Sequence, residues 1–156
     1  MAKDRVCIYG GSYGGSYGGY AALMGVIKEP DLFQCAVSFA GVYDLNLKFD
    51  KGDFLENNWS EASLVKIMGD NEKFLAQKSP VNLVEKIKVP LFLSHGTKDE
   101  RVPFEHYEKL VVALKKNRIE YESLVLKGEA HGFQNSKNGI KFYKKVLEFL
   151  DDVFEL

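Results

Sequence analysis

RVCIYGGSYGGSYGGYAALMG, residues Arg5–Gly25, passes from a short apolar run through two overlapping copies of Gly-x-Ser-x-Gly into helix-forming text. One copy, Gly10–Gly14, centres on Ser12; the other, Gly14–Gly18, centres on Ser16. Alone, such a glycine-rich doublet reads as a low-complexity loop. Between a strand and a helix it reads instead as a nucleophile elbow. In that strained turn the flanking glycines let backbone pass close, and the helix amino terminus offers an N–H to a developing oxyanion. A phosphate-binding loop is excluded, because Tyr20 stands where that motif requires lysine.

Outward from the elbow, short apolar runs alternate with stretches of helical period, the pattern of a parallel sheet flanked by helices. The spacing predicts strands at Arg5–Tyr9, Cys35–Phe39, Pro90–Ser94 and Tyr121–Leu126, and a helix over Tyr20–Ile27. A second helix opens at Pro103, carries Phe104, Tyr107, Leu110, Val111 and Leu114 on one face, and stops at Asn117. The last is expected to turn Ile140, Tyr143, Val146, Leu147 and Leu150 toward the sheet. Between Val42 and Lys88 the pattern is a loop, short helices at Ser60–Met68 and Glu72–Lys78, and a break at Ser79-Pro80. The expected fold class is α/β, with about four parallel strands in sequential order and helices on both faces.

The chain has 156 residues, of which 46% are hydrophobic, enough for a real core. Its 21 basic and 22 acidic residues leave a net charge of -1, so no positive field attracts nucleic acid or anionic lipid. No apolar run approaches the roughly 20 residues needed to span a bilayer. These features lead us to expect a soluble, cytoplasmic chain with neither nucleic acid nor membrane as partner. Cys7 and Cys35 lie in separate apolar runs and are expected as reduced, buried thiols. The three histidines lack ligand spacing, so no metal is expected, and no cofactor is implied.

In an open parallel sheet, ligands bind beyond the carboxyl ends of the strands. Four positions answer to that place: Ser12 or Ser16, Asp44, Asp99 and His131. A serine hydroxyl becomes a nucleophile when a histidine takes its proton, and the histidine needs a carboxylate to fix its tautomer. The order Ser, Asp, His is that of an α/β-hydrolase. The strand-end argument favours Asp99 as the acid, with Asp44 as the rival. His95 is expected to pack under the elbow and His106 to be solvated. Tyr43, Phe54 and Trp59, in the irregular segment, are candidates for a substrate pocket or for its core.

The elbow text, SHGTKDERVPFEHYEKL and KGEAHGF together resemble the C-terminal half of the catalytic domain of prolyl oligopeptidase family serine peptidases, nearest their acylaminoacyl-peptidase and dipeptidyl-peptidase branch. The resemblance spans essentially the whole chain and implies one partial α/β-hydrolase domain over 1–156. It implies Asp99 as triad acid, His131 as base, and the backbone N–H of Tyr13 or Tyr17 as oxyanion donor. It also implies peptide or small-ester substrates, and further strands and a β-propeller upstream of the elbow strand. Family members carry a single elbow, so the second copy adds four residues here. With Ser12 as nucleophile, four glycines would enter the helix at a cost of roughly 3–4 kcal/mol. With Ser16, the spacing into the helix is kept, and the longer loop costs under about 1 kcal/mol. Spacing therefore favours Ser16, with Ser12 the alternative. The first strand, left at a sheet edge, is expected to make the chain a homo-oligomer through that edge or the exposed sheet face.

Overall fold

A strand covered on both faces must be apolar at successive positions, and CAVSF meets that demand: all five residues of this strand are buried. It lies inside a sheet of four parallel strands, β1 (Cys7–Gly11), β2 (Cys35–Phe39), β3 (Leu91–Gly96) and β4 (Glu122–Leu126), in the order β1-β2-β3-β4. The computed structural model describes residues 5–11, 17–50, 63, 65, 66 and 69–156. Its helices are α1 (Tyr17–Lys28), α2 (Leu45–Asp50), α3 (Glu72–Lys78), α4 (Glu105–Lys116) and α5 (Ser136–Phe154), with short 3-10 turns at Pro80–Asn82 and Val84–Lys86. The predicted helix over 60–68 lies largely outside the described residues.

Two cores sandwich the sheet. On one face, Ala36, Leu91 and Leu93 meet Leu23 and Ile27 of α1 and Leu110 and Leu114 of α4. On the other, Val37, Phe39, Phe92 and Leu124 meet Phe142, Val146 and Phe149 of α5. The alternation along β2 and β3 sends neighbouring side chains to opposite faces, as the two-residue period of a strand requires. Helices therefore cover both faces, as expected.

The face of α5 differs from expectation in part: Val146 and Leu150 pack on the sheet side as expected, and Ile140, Tyr143 and Leu147 do not. Phe142, Val146 and Phe149 pack inward, while Ile140 (58% exposed), Tyr143 and Leu147 (60% exposed) face outward. The helix is apolar on two sides, and the aromatic cluster formed by Phe142 with Phe39, Phe92 and Phe133 draws the phenylalanine side in.

The cysteines also differ. Cys7 and Cys35 are direct partners in the β1–β2 register, with Cα atoms 4.6 Å apart, and they form a disulfide. Strand register is not readable from the cysteine spacing, so the pair could not be inferred from the sequence. Such bonds persist in oxidising compartments, which weighs against the cytoplasmic reading. The bond closes a loop over a sequence separation of 28. By loop-closure entropy it should stabilise the fold by about 3–4 kcal/mol. Urea unfolding with and without reductant measures this; superimposable curves would contradict it.

Candidate active site

The carboxyl ends of β3 and β4 are fastened to each other before any chemistry is considered. The Thr97 N–H donates to the Leu126 carbonyl at 3.1 Å, and the Lys98 N–H donates to that of Glu129 at 2.8 Å. The Gly128 N–H donates to Thr97 Oγ1 at 2.9 Å. Gly96 must be glycine because the loop after β4 lies directly over it: an added Cβ would sit 2.3 Å from the Ala130 carbonyl oxygen.

This fastening brings Asp99 and His131 together. The His131 Nδ1 lies 2.9 Å from Asp99 Oδ1 and 2.7 Å from Oδ2. An ionised carboxylate only accepts, so Nδ1 carries the hydrogen and Nε2, on the far side of the ring, is the basic nitrogen. Asp99 is also held by the N–H groups of Arg101 (3.1 Å) and Val102 (2.8 Å), in an Asx-type turn. Its side chain is fully enclosed, whereas that of His131 is 14% exposed.

Beneath the pair, His95 is buried, with Phe104 and Tyr107 against its ring. Its Nε2–H donates to the Val102 carbonyl at 2.8 Å and lies 3.4 Å from Asp99 Oδ2. Burial alone would raise the Asp99 pKa. The hydrogen bonds from His131 and His95 and the Val102 amide outweigh that and hold it at about 2.

The rival carboxylate is committed elsewhere. Asp44 Oδ1 accepts from the N–H groups of Asn46 and Leu47, capping α2, and Oδ2 pairs with Lys109 Nζ at 2.9 Å. His106 is buried rather than solvated. Its Nδ1 accepts from the Tyr43 and Asp44 N–H groups at 3.3 Å each, tying α4 to the segment after β2. Tyr43 is core and does not line a pocket. Its fully buried hydroxyl donates to Ser38 Oγ at 2.8 Å, and Ser38 in turn donates to the Gly19 carbonyl at 2.9 Å. Burial pushes the Tyr43 hydroxyl up to about 12. Ser38 and Glu129 are polar supports that the sequence does not flag, since a lone buried serine or glutamate has no spacing signature.

At the elbow, Ser12, Tyr13 and Ser16 lie outside the described residues, as do Phe54 and Trp59. Both flanks are described. Gly11 ends β1, and Tyr17, largely exposed, opens α1. Strand and helix touch here: a Cβ on Gly10 would stand 1.9 Å from the Gly18 carbonyl oxygen.

An open cavity of about 570 Å³ borders His131, lined also by Lys98, Glu100, Arg101, Gly128, Ala130 and Gln134. A larger hollow, about 790 Å³, lies at the opposite, amino-terminal ends of β3 and β4 around Pro90 and Tyr121, away from the pair. Among the described residues, no group of three His, Cys, Asp or Glu side chains could hold a metal ion, and no helix is long and apolar enough to cross a membrane.

The prolyl oligopeptidase family model matches residues 1–156. The chain belongs to the prolyl oligopeptidase family. Dipeptidyl aminopeptidase BIII of Pseudoxanthomonas mexicana is 33% identical over 155 residues, covering 95% of this chain and 22% of that protein. Among solved structures, a puromycin-hydrolyzing peptidase of Mycobacterium tuberculosis matches with a TM-score of 0.86 at 24% identity, covering 98% of this chain and 22% of that one. The acylaminoacyl peptidase of Pyrococcus horikoshii matches with a TM-score of 0.83 at 25% identity, covering 97% of this chain and 24% of that one. This family member thus has the α/β-hydrolase architecture of serine peptidases and spans about a fifth of the length of these relatives.

Asp99 is more acidic in the folded chain than in the unfolded one. Its folded pKa, about 2, lies below the ordinary value of 3.8, so the unfolded chain binds the proton first as pH falls. The carboxylate should therefore contribute roughly 2 kcal/mol above pH ~5, lost as pH falls from about 4 to about 2. The stability difference between wild type and Asp99→Asn, measured by chemical denaturation, should shrink across that window. A constant difference would contradict the assignment.

Proposed function

We propose that this chain carries the triad of a serine hydrolase that cleaves peptide or small-ester bonds through an acyl-enzyme. The observation that carries the reading is the Asp99–His131 pair, a fully enclosed carboxylate on Nδ1 of a partly exposed imidazole at the carboxyl ends of β3 and β4. Ser16 is the nucleophile. Its Oγ attacks the carbonyl carbon as Nε2 of His131 takes its proton, and Asp99 stabilises the imidazolium that forms. The N–H of Tyr17, the next residue and the first of α1, serves the oxyanion. His131 then gives the proton to the leaving group, and water attacks the acyl-enzyme in the same way.

Ser16 is favoured over Ser12 because it directly precedes α1, where helix N–H groups converge. A fluorophosphonate probe followed by peptide mapping should label Ser16 alone; labelling at Ser12 would overturn that choice. The short span of this chain beside its relatives favours one alternative, a folded but inactive piece of a longer hydrolase. Turnover of a chromogenic ester that falls at least about 10³-fold in His131→Ala supports catalysis. Turnover unchanged in that variant would remove the proposed base.

We further propose that a second copy of the chain covers the β1 edge. β1 pairs only with β2, so one side of its backbone is unpaired among the described residues. Tyr9, 52% exposed, adjoins Tyr143 of α5, and Leu147 continues the apolar surface. A two-fold axis perpendicular to β1 sets two copies of the strand antiparallel, which makes such an edge complementary to itself. Light scattering at tens of micromolar should report a dimer or larger species that Leu147→Lys or Tyr9→Lys dissociates. A monomer, or an assembly that survives both changes, would refute this surface.

A further inference from the structure

Glu129 is a buried carboxylate, 3% exposed, to which the proposed reaction gives no part. Among the described residues it has no cationic partner. Its charge is satisfied by three N–H groups: Gln134 N at 2.7 Å and Asn138 Nδ2 at 2.6 Å, with Asn135 N at 3.1 Å. All three lie at or just before the first turn of α5, where the helix N–H groups favour an anion. These bonds close residues 129–135 into a ring, and His131 is inside it. The backbone carbonyl of Glu129 itself takes the Lys98 N–H at 2.8 Å, next to Asp99. One residue thus joins three things: the loop carrying His131, the turn carrying Asp99, and the rigid end of α5.

A buried ion without a counter-ion is costly unless its geometry is satisfied in full. The Asn138 side chain outweighs burial, which pushes the carboxyl up, and with the Gln134 and Asn135 amides it keeps the group below its usual range, so it is ionised at neutral pH. His131 makes none of these bonds itself, so their effect on it is through the loop they close.

We infer that Glu129 is a positioning residue for His131: its carboxylate, locked to the start of α5, holds the 129–135 ring shut and keeps the imidazole Nδ1 on Asp99. This rests on the serine-hydrolase reading for its use in catalysis, but the positioning itself does not require turnover.

The test is the His131 Nδ1–H proton of the folded chain, observed by NMR with nitrogen-15 imidazole labelling. In wild type it should be far downfield and slow to exchange. Glu129→Gln keeps the size and one acceptor but places an NH₂ group against the N–H donors. It should speed that proton's exchange roughly tenfold or more, because charge-assisted bonds that resist local opening are lost. Asn138→Ala, which removes one donor and leaves the charge, should shift the same signal in the same direction by less, and it serves if Glu129→Gln does not fold. In an active protein, kcat should fall while KM stays near its wild-type value. A far-downfield proton that exchanges equally slowly in the folded variants overturns the inference, and so does its absence from wild type. A Glu129-dependent proton in a chain that hydrolyses no ester upholds the inference while removing the hydrolase reading.

Discussion

A carboxylate taken out of water must be given hydrogen bonds, and the carboxyl end of this sheet is organised around that demand at Asp99. Burial pushes the group toward neutrality, while the Val102 amide and two imidazoles pull it the other way and win. The result fixes more than one charge. Asp99 determines which nitrogen of His131 carries a hydrogen, and hence which is basic. With His95 it also pins the turn leading into α4, because the Nε2–H of His95 reaches the Val102 carbonyl. The tautomer of the histidine and the shape of the turn into α4 are consequences of one buried anion, at a sheet end that backbone bonds close.

A second anion solves the same problem differently. Glu129 has backbone and amide donors instead of imidazoles, and these donors belong to the beginning of α5. A histidine-paired carboxylate suits a group whose partner must gain and lose a proton, because the pair can share the change in charge. An amide-bound carboxylate has no partner that titrates near neutral pH. It suits a fixed fastening, and the loop after β4 uses one of each, His131 on Asp99 and Glu129 on the amides.

How much of this is legible in the sequence depends on whether the information is local. Strands announce themselves because short, mostly apolar runs such as CAVSF and PLFLS suit a flanked parallel sheet; Cys35–Phe39 coincides with β2, and Pro90–Ser94 overlaps β3, which runs on to Gly96. Strand-end placement sufficed to put Asp99 and His131 forward, since both follow strands directly. What escaped was relational. The inward side of α5 depends on which of two apolar stripes meets Phe39 and Phe92, and the Cys7–Cys35 bond depends on register. His106 reads as solvated on a charged helix, yet it is buried and accepts from two N–H groups of the segment after β2, distant in sequence. Tyr43 reads equally as pocket or core in the sequence, and its buried hydroxyl bonds to Ser38 in the core.

The doubled elbow follows the same division between local pattern and packing. In a single Gly-x-Ser-x-Gly the end glycines are needed because strand and helix meet at a sharp turn. Here the close contact joins Gly10, which opens the first copy, to Gly18, which closes the second. The outermost pair therefore meets the steric demand, because strand and helix leave no room for a side chain at either glycine. Residues between them add loop-closure entropy that grows only with the logarithm of length, under about 1 kcal/mol for four more residues. A repeat inserted inside this contact is inexpensive because it leaves both anchors in place. The contact is symmetric about the two serines, so it cannot select between them. The proposed choice of Ser16 rests instead on its place in the sequence, directly before Tyr17, the first residue of α1.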